Sequence, residues 1–238
     1  MTESYEPSKY WERRLSNCFD LRGVGHIGYG EAYNEWLYRR KKYVIERCLR
    51  QVPLQGHHVL DVGCGTGFFV QWYLDRGAIV HGLDITTTSI DRLTRQFGHN
   101  FQVQDISDPS YRPPRLFDVV NMWDVIYHII SETGFQQAFR NIARSLQPGG
   151  LLLFTDWFGA PCDSSVADHV RARCLDTYKE VLPGLGFRLV STIPLYHFLN
   201  KPHLPRFDDH LGRLYFLLDC AMRTISSDNI SLGLWSYP

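Results

Sequence analysis

Val59-Leu60-Asp61-Val62-Gly63-Cys64-Gly65-Thr66-Gly67-Phe68-Phe69 is the stretch on which the reading of this 238-residue chain turns. An apolar run of strand type passes into three glycines at alternate positions and then into a helix start. Glycines at such a turn let the backbone approach a ligand closely, and the helix N-terminus adds a positive partial charge. Downstream, short apolar runs alternate with helix-length amphipathic segments, the signature of a parallel sheet with crossover helices. The pattern predicts strands at His58–Val62, Ile79–Leu83, Asn100–Gln104, Asp118–Met122 and Leu151–Thr155. Gln147-Pro148-Gly149-Gly150 punctuates the end of the last crossover helix, because proline cannot continue it and the glycines permit the turn.

Three acids stand at the ends of the first three strands. Asp61 precedes Gly63 by two residues, Asp84 closes Val80-His81-Gly82-Leu83-Asp84, and Asp105 follows the third strand and is trailed by Ile106. An acid about twenty residues beyond the glycine turn suits two hydrogen bonds to a ribose diol. Nicotinamide dehydrogenases more often carry GxGxxG, and the residue three after Gly65 is Phe68.

On these residues the chain resembles the class I S-adenosylmethionine-dependent methyltransferases of small-molecule type, over roughly His57 to Phe158. Asp61 to Gly67 match the first motif, Asp84 the ribose acid and Asp105 the adenine-edge acid. Phe117 to Ile129 match the fourth-strand motif, and Gln147 to Gly150 the turn after the helix. The resemblance implies an α/β fold, a Rossmann-like seven-stranded, mostly parallel sheet with helices on both faces, and S-adenosyl-L-methionine as cofactor. It implies that Gly63, Cys64, Gly65, Thr66 and Gly67 line the methionyl and ribose portion while Asp61 orients the methionyl ammonium. Asp84 is then expected to hold the ribose hydroxyls, Asp105 to accept from the adenine amino group between Ile85 and Ile106, and Asn121, Met122 and Trp123 to close the pocket. Each acid has a plainer reading as a turn or N-cap residue, Thr66 as the cap of the helix starting at Gly67, and Trp123 as core.

The methyl of a sulfonium is already activated, so positioning alone supplies on the order of 7–11 kcal/mol and a base is optional. If a base serves, His128, just past the fourth strand, is the first candidate, with His169 and His197 behind it and Tyr127 orienting the acceptor. Each histidine has the alternative of merely bonding nearby backbone. The acceptor side is expected from the N-terminal helices, the segment after Asp156 and the helix before the last strand. These carry Tyr10, Trp11, Tyr29, Tyr33, Trp36, Tyr38, Trp157, Phe158, Tyr196 and Phe198, which suggests an apolar or aromatic acceptor. Tyr33, Trp36 and Arg39 share a helical face suited to a lid. No Asn-Pro-Pro-Tyr signature follows the fourth strand, which disfavours a nucleic-acid target, and there is no acidic metal-ligand set; no metal is expected.

The chain reads as one domain, 1–238: a helical N-terminal lid over 1–52, a cofactor-binding core over 57–158, and an acceptor-side cap with the closing strands over 159–238. The glycine-rich Arg22–Gly30 stretch is expected to be a flexible hinge, 161–187 mostly helical, and a last helix to run from about Pro205 to Ile225 as an insertion before the final strand. Lys plus Arg equals Asp plus Glu at 25 each, which argues against a duplex nucleic-acid binder. The run Arg39-Arg40-Lys41-Lys42 reads as a solvated helix face. Six cysteines without CxxC pairs look like reduced thiols. No stretch has the apolar length of a membrane helix, so the expectation is a cytoplasmic monomer or homodimer with a small-molecule acceptor, no nucleic-acid partner and no membrane. Two alternatives stay open: a methyltransferase-like scaffold catalysing cyclisation or rearrangement, and a non-catalytic cofactor-binding partner protein.

Overall fold

Why the apolar runs become strands is visible in where their side chains go. Along β1 (His58–Val62), β4 (Phe117–Met122) and β5 (Leu146–Asp156), successive residues enter different cores: Val59, Val119 and Leu153 join one cluster, Leu60, Val120 and Leu152 the other. That is the period-2 consequence of a pleated sheet buried on both faces. The computed structural model describes residues 5–161, 164–201, 203–204, 207–222 and 229–238.

The first core lies under α3 (Glu31–Cys48), α4 (Phe68–Leu74) and α5 (Thr87–Phe97); the second lies under α6 (Glu132–Ser145) and α7 (Leu175–Val181). With β2 (Ile79–Asp84), β3 (Phe101–Val103), β8 (Arg188–Pro194) and β9 (Ser231–Ser236), the sheet has seven strands in the order β3-β2-β1-β4-β5-β9-β8. The first five are parallel neighbours, and β9 runs antiparallel to both β5 and β8. Strand order reverses beside β1, so the carboxyl ends of β1, β2 and β4 open a crevice there, where α/β sheets bind ligands.

On the far side of the crevice sit α1 (Pro7–Asn17) and the four-residue α2 (Leu21–Val24). The expected hinge at Arg22–Gly30 is instead packed. Asp20 caps α2 by accepting from Arg22 N at 2.7 Å, and Asn34 bonds His26 N at 2.8 Å and three carbonyls in the same stretch. A Cβ on Gly25 would meet Asn34 Oδ1 at 2.2 Å, so glycine there serves close packing.

The segment read as helical over 161–187 begins with a hairpin, β6 (Ser164–Ala167) against β7 (Val170–Ala172), before α7; residues 162–163 lie outside the described ones. The two strands are too short to show alternation, and Ala and Arg favour helix locally. The last helix, α8 (Asp208–Ala221), packs on α3; the expected ends at 205–206 and 223–225 lie outside the described residues. Cys174 is disulfide-bonded, so the expectation of reduced thiols fails there, while Cys18, Cys48, Cys64 and Cys220 are free. Among the described residues, no helix is long and apolar enough to cross a membrane.

Candidate active site

The crevice holds a cavity of about 350 Å³ that runs from the β2–β3 edge to the underside of α1. That volume is in the range of small-molecule sites.

The glycine turn forms its floor. Gly63, Gly65 and Gly67 have φ of 70°, 51° and 83°, the left-handed region that glycine enters without strain. Their N–H groups, however, are spent inside the protein. Gly63 and Cys64 donate to Leu83 O at 2.7 and 3.0 Å, Gly65 to Asp84 Oδ2 at 2.9 Å, and Gly67 to Cys64 O at 2.8 Å. A dinucleotide pyrophosphate needs such donors free, so this turn suits a ligand without a phosphate at that point. Gly63 and Gly65 face the cavity, whereas Gly67 lies behind it, where a Cβ would meet Leu93 Cδ2 of α5 at 2.6 Å. Thr66 lines the cavity but does not cap α4, whose N-cap is Gly67 with no side-chain bond. Cys64 also lines it, and burial pushes its thiol well up.

Asp84 is buried at the end of β2. Burial raises its carboxyl, against bonds from Thr86 and Gly65; Oδ1 accepts from Thr86 N at 2.9 Å and Thr86 Oγ1 at 2.7 Å. It faces the cavity with Ile85, while Asp105, Ile106 and Ser107 form the facing rim. Asp105 is exposed, and its Oδ1 also holds its own turn, accepting from Ser107 N and Ser107 Oγ at 2.7 Å each. Two isoleucines and two carboxylates therefore line this end of the cavity.

Asp61 lines the opposite wall. In register with Asn121 across β1 and β4, its Oδ1 accepts from Asn121 Nδ2 at 2.6 Å. Asn121 Oδ1 in turn accepts from Trp123 Nε1 at 2.6 Å and Tyr73 OH at 3.2 Å. Burial pushes the Asp61 carboxyl up to about 7, so the wall holds an acid whose negative charge lacks a counterion. A ligand ammonium would supply it. Trp123 lines the cavity and stacks on Phe69 at 4.7 Å, serving wall and core together, whereas Asn121 and Met122 are fully buried behind.

At the other end, Trp11 and Leu15 of α1 line the cavity, with Trp11 against His128. Trp11 and His128 rings lie 5.0 Å apart, and burial pushes His128 down to about 4, so it is neutral near pH 7. His169 stacks on His128 outside the cavity lining, and Tyr127 is buried beside it, hydrogen-bonded to Asp124. His197 is not brought to the site: its N–H donates to Asp219 Oδ1 at 2.9 Å beside α8. Of the ten aromatic residues expected on the acceptor side, Trp11 and Tyr38 line the cavity. Tyr33 is buried against Tyr29, and Trp36 packs over Gly212 of α8 with Arg39 on its far face, so that stripe is a helix–helix seam and α1 is the cover. Glu12 pins α1 down by accepting from Thr87 N at 2.7 Å and Thr88 N at 3.2 Å at the N-terminus of α5.

Sequence reasoning missed Lys41 and Asp124. Lys41 is buried with Arg40, both read as solvated, because each falls on the inward side of α3. Lys41 Nζ donates to Asp124 and lies 3.9 Å from the Tyr38 ring centroid, and both members of the pair line the cavity. Burial opposes both charges; each nonetheless outweighs it for the other, raising Lys41 and lowering Asp124. Asp124 adopts φ 57° at the tip of β4, with its N–H on Thr155 Oγ1 at 2.8 Å. The signal was present: Lys41 sits four residues after Leu37 and before Ile45, inside the apolar stripe.

The family described as "Methyltransferase domain" matches residues 59–150, which spans β1 to the start of β5. Residues 59–150 thus carry a methyltransferase domain. Ubiquinone biosynthesis O-methyltransferase of Coxiella burnetii is 34% identical over 121 residues, 49% of this chain and 48% of that protein. Phosphoethanolamine N-methyltransferase 1 of Arabidopsis thaliana is 32% identical over 204 residues, 77% of this chain and 40% of that protein. The chain thus spans about half the length of the curated relatives it matches, or less. The crystal structure of the N-methyltransferase NodS from Bradyrhizobium japonicum, in complex with S-adenosyl-L-homocysteine, superposes with a TM-score of 0.66 at 16% identity, covering 97% of this chain and 98% of that one. At that identity the likeness bears on the methyltransferase fold.

Proposed function

We propose that the chain binds S-adenosylmethionine in this cavity and methylates a hydroxyl of a small, uncharged aromatic or apolar acceptor that enters beneath α1. The observation that carries the reading is the continuity of one cavity, with Asp84, Ile85, Asp105 and Ile106 at one end, Asp61 on the wall, and His128 with Trp11 at the other. When bound, the cofactor supplies an electrophilic methyl on a sulfonium. Asp84 and Asp105 hold its nucleoside, Asp61 its ammonium, and α1 excludes water. His128 lies where the acceptor enters, neutral near pH 7; at about 4 it is a weak base, so it takes the hydroxyl proton as the oxygen bonds the methyl carbon and becomes acidic.

Charge supports an uncharged acceptor. Among the described residues, Lys41 is the one Lys or Arg lining the cavity, and Asp124 already neutralises it. A phosphate or carboxylate acceptor would meet no unpaired cation there, so the comparison with the O-methyltransferase relative is the more apt for chemistry. Calorimetric titration with S-adenosylmethionine and S-adenosylhomocysteine, for the wild type and Asp84→Ala, tests the cofactor reading: micromolar binding lost in the variant is expected, and a folded wild type that binds neither sinks it. A mass-detected screen of simple phenols against phosphoethanolamine then tests the acceptor. Methylated phenol is expected; methylated phosphoethanolamine, or turnover without S-adenosylhomocysteine, overturns the reading.

A further inference from the structure

We propose that the β6–β7 hairpin sets His128 as a proton acceptor by fixing its tautomer, with Arg173 as the positioning residue. This rests on the role given to His128 above. His128 Nδ1 lies 2.9 Å from the backbone carbonyl of His169, in the turn of the hairpin. A carbonyl only accepts, so in the neutral ring Nδ1 carries the proton and Nε2 keeps the lone pair. The His169 ring lies nearly parallel to that of His128, with centroids 5.7 Å apart and planes at 5°, which fixes the ring plane as well.

Arg171 of β7 and Arg173, the residue after its end, hold the loop that carries His128. Arg173 Nη2 donates to Ile129 O at 3.0 Å, and Arg171 Nη1 to Ile130 O at 3.1 Å. Together they grip the two consecutive carbonyls that follow His128. Arg173 is fully buried, its guanidinium carbon 4.0 Å from the Phe135 ring centroid, and its own N–H donates to Asp156 Oδ2 at 3.3 Å. Glu132 stands 3.8 and 3.9 Å from the two guanidinium groups. Nε and Nη1 of Arg173 have no hydrogen-bond partner. A buried guanidinium left partly unsatisfied is a costly way to support a loop that an apolar side chain would pack equally well. What the arginine provides, and an apolar residue would not, is a directed donor at the carbonyl beside His128. The charged and titratable groups around the ring are Arg14 from α1, Asp124 from the tip of β4, Tyr127 with its ring centroid 4.6 Å away, and His169 from the hairpin.

The test is a long-range proton–nitrogen correlation on protein labelled with ¹⁵N histidine, with the His128 signals identified by their loss in His128→Gln. Between about pH 6 and 8, the wild type should show a protonated, pyrrole-type Nδ1 and a pyridine-type Nε2. Arg173→Met should lose that separation, with both nitrogens moving to intermediate shifts, and Arg173→Lys should restore it. If Arg173→Met does not fold, Arg171→Met carries the same expectation. S-adenosylhomocysteine affinity should be unchanged in the arginine variants; loss of binding in the wild type would count against the cofactor reading, separately from the tautomer. The proposal is overturned by an Nε2-protonated or averaged ring in the wild type, or by folded methionine variants that keep the wild-type shifts.

Discussion

Asp61 makes cofactor affinity depend on pH in a calculable way. Its carboxyl is pushed from an ordinary 3.8 to about 7 by burial, so below pH 7 the empty site is mostly protonated. A cationic methionyl ammonium favours the ionised form, hence binding must first remove that proton. Affinity should therefore be level above pH 7 and fall about tenfold, about 1.4 kcal/mol, for each pH unit below it. Calorimetry with S-adenosylhomocysteine across about pH 5.5–8.5, compared with Asp61→Asn, reads this directly; the variant should bind more weakly and lose the slope. The linkage has a second arm. Because the folded-state pKa is raised, the empty wild type loses stability as pH rises from the unfolded value to about 7. Asp61→Asn should thus be more stable than wild type at pH 8, by up to about 4 kcal/mol, and no more stable near pH 3. A wild-type affinity flat across the range, or a slope retained in Asp61→Asn, would refute the argument.

Three further outcomes are expected. Lys41→Met leaves the half-buried Asp124 without its counterion and should cost about 1–3 kcal/mol, read as a lower urea midpoint; an unmoved midpoint means the pair is not formed. Gly67→Ala should cost about 1–3 kcal/mol by thermal unfolding, from a φ of 83° and a Cβ at 2.6 Å from Leu93, and a tolerated alanine would show that α5 yields. Glu12→Gln removes a negative charge from the N-terminus of α5, worth about 0.3–1 kcal/mol of α1 docking. It should speed S-adenosylhomocysteine release a few-fold in a stopped-flow displacement, and an unchanged rate would mean α1 does not gate the cavity.

The middle of the sheet was legible in the sequence because β1, β4 and β5 are buried on both faces and so write short, mostly apolar runs. β1 occupies its expected residues, His58–Val62, and β2 and β4 each differ by a single residue at one end. The positions of Asp61, Asp84 and Asp105 were legible for the same reason: strand ends are marked by where the apolar run stops. The hairpin at 164–172 was not, since its strands are too short for a period and its composition favours helix. Lys41 was hidden by a rule of composition, that runs of basic residues are solvated, although its spacing from Leu37 and Ile45 put it inward. The use of the glycine N–H groups was also hidden, because Gly65 is bonded by Asp84 from another strand, and no local pattern carries that.

The antiparallel β9 lies between β5 and β8, although the chain makes it after both. Until residues 231–236 leave the ribosome, β5 therefore presents an open edge along Leu151–Asp156, and β8 has no partner at all. The parallel half, with the whole cofactor wall, can assemble first, while a sticky flank waits for a late insertion. Nascent or truncated chains lacking β9 should consequently be the species that a chaperone holds, or that pair edge to edge and precipitate.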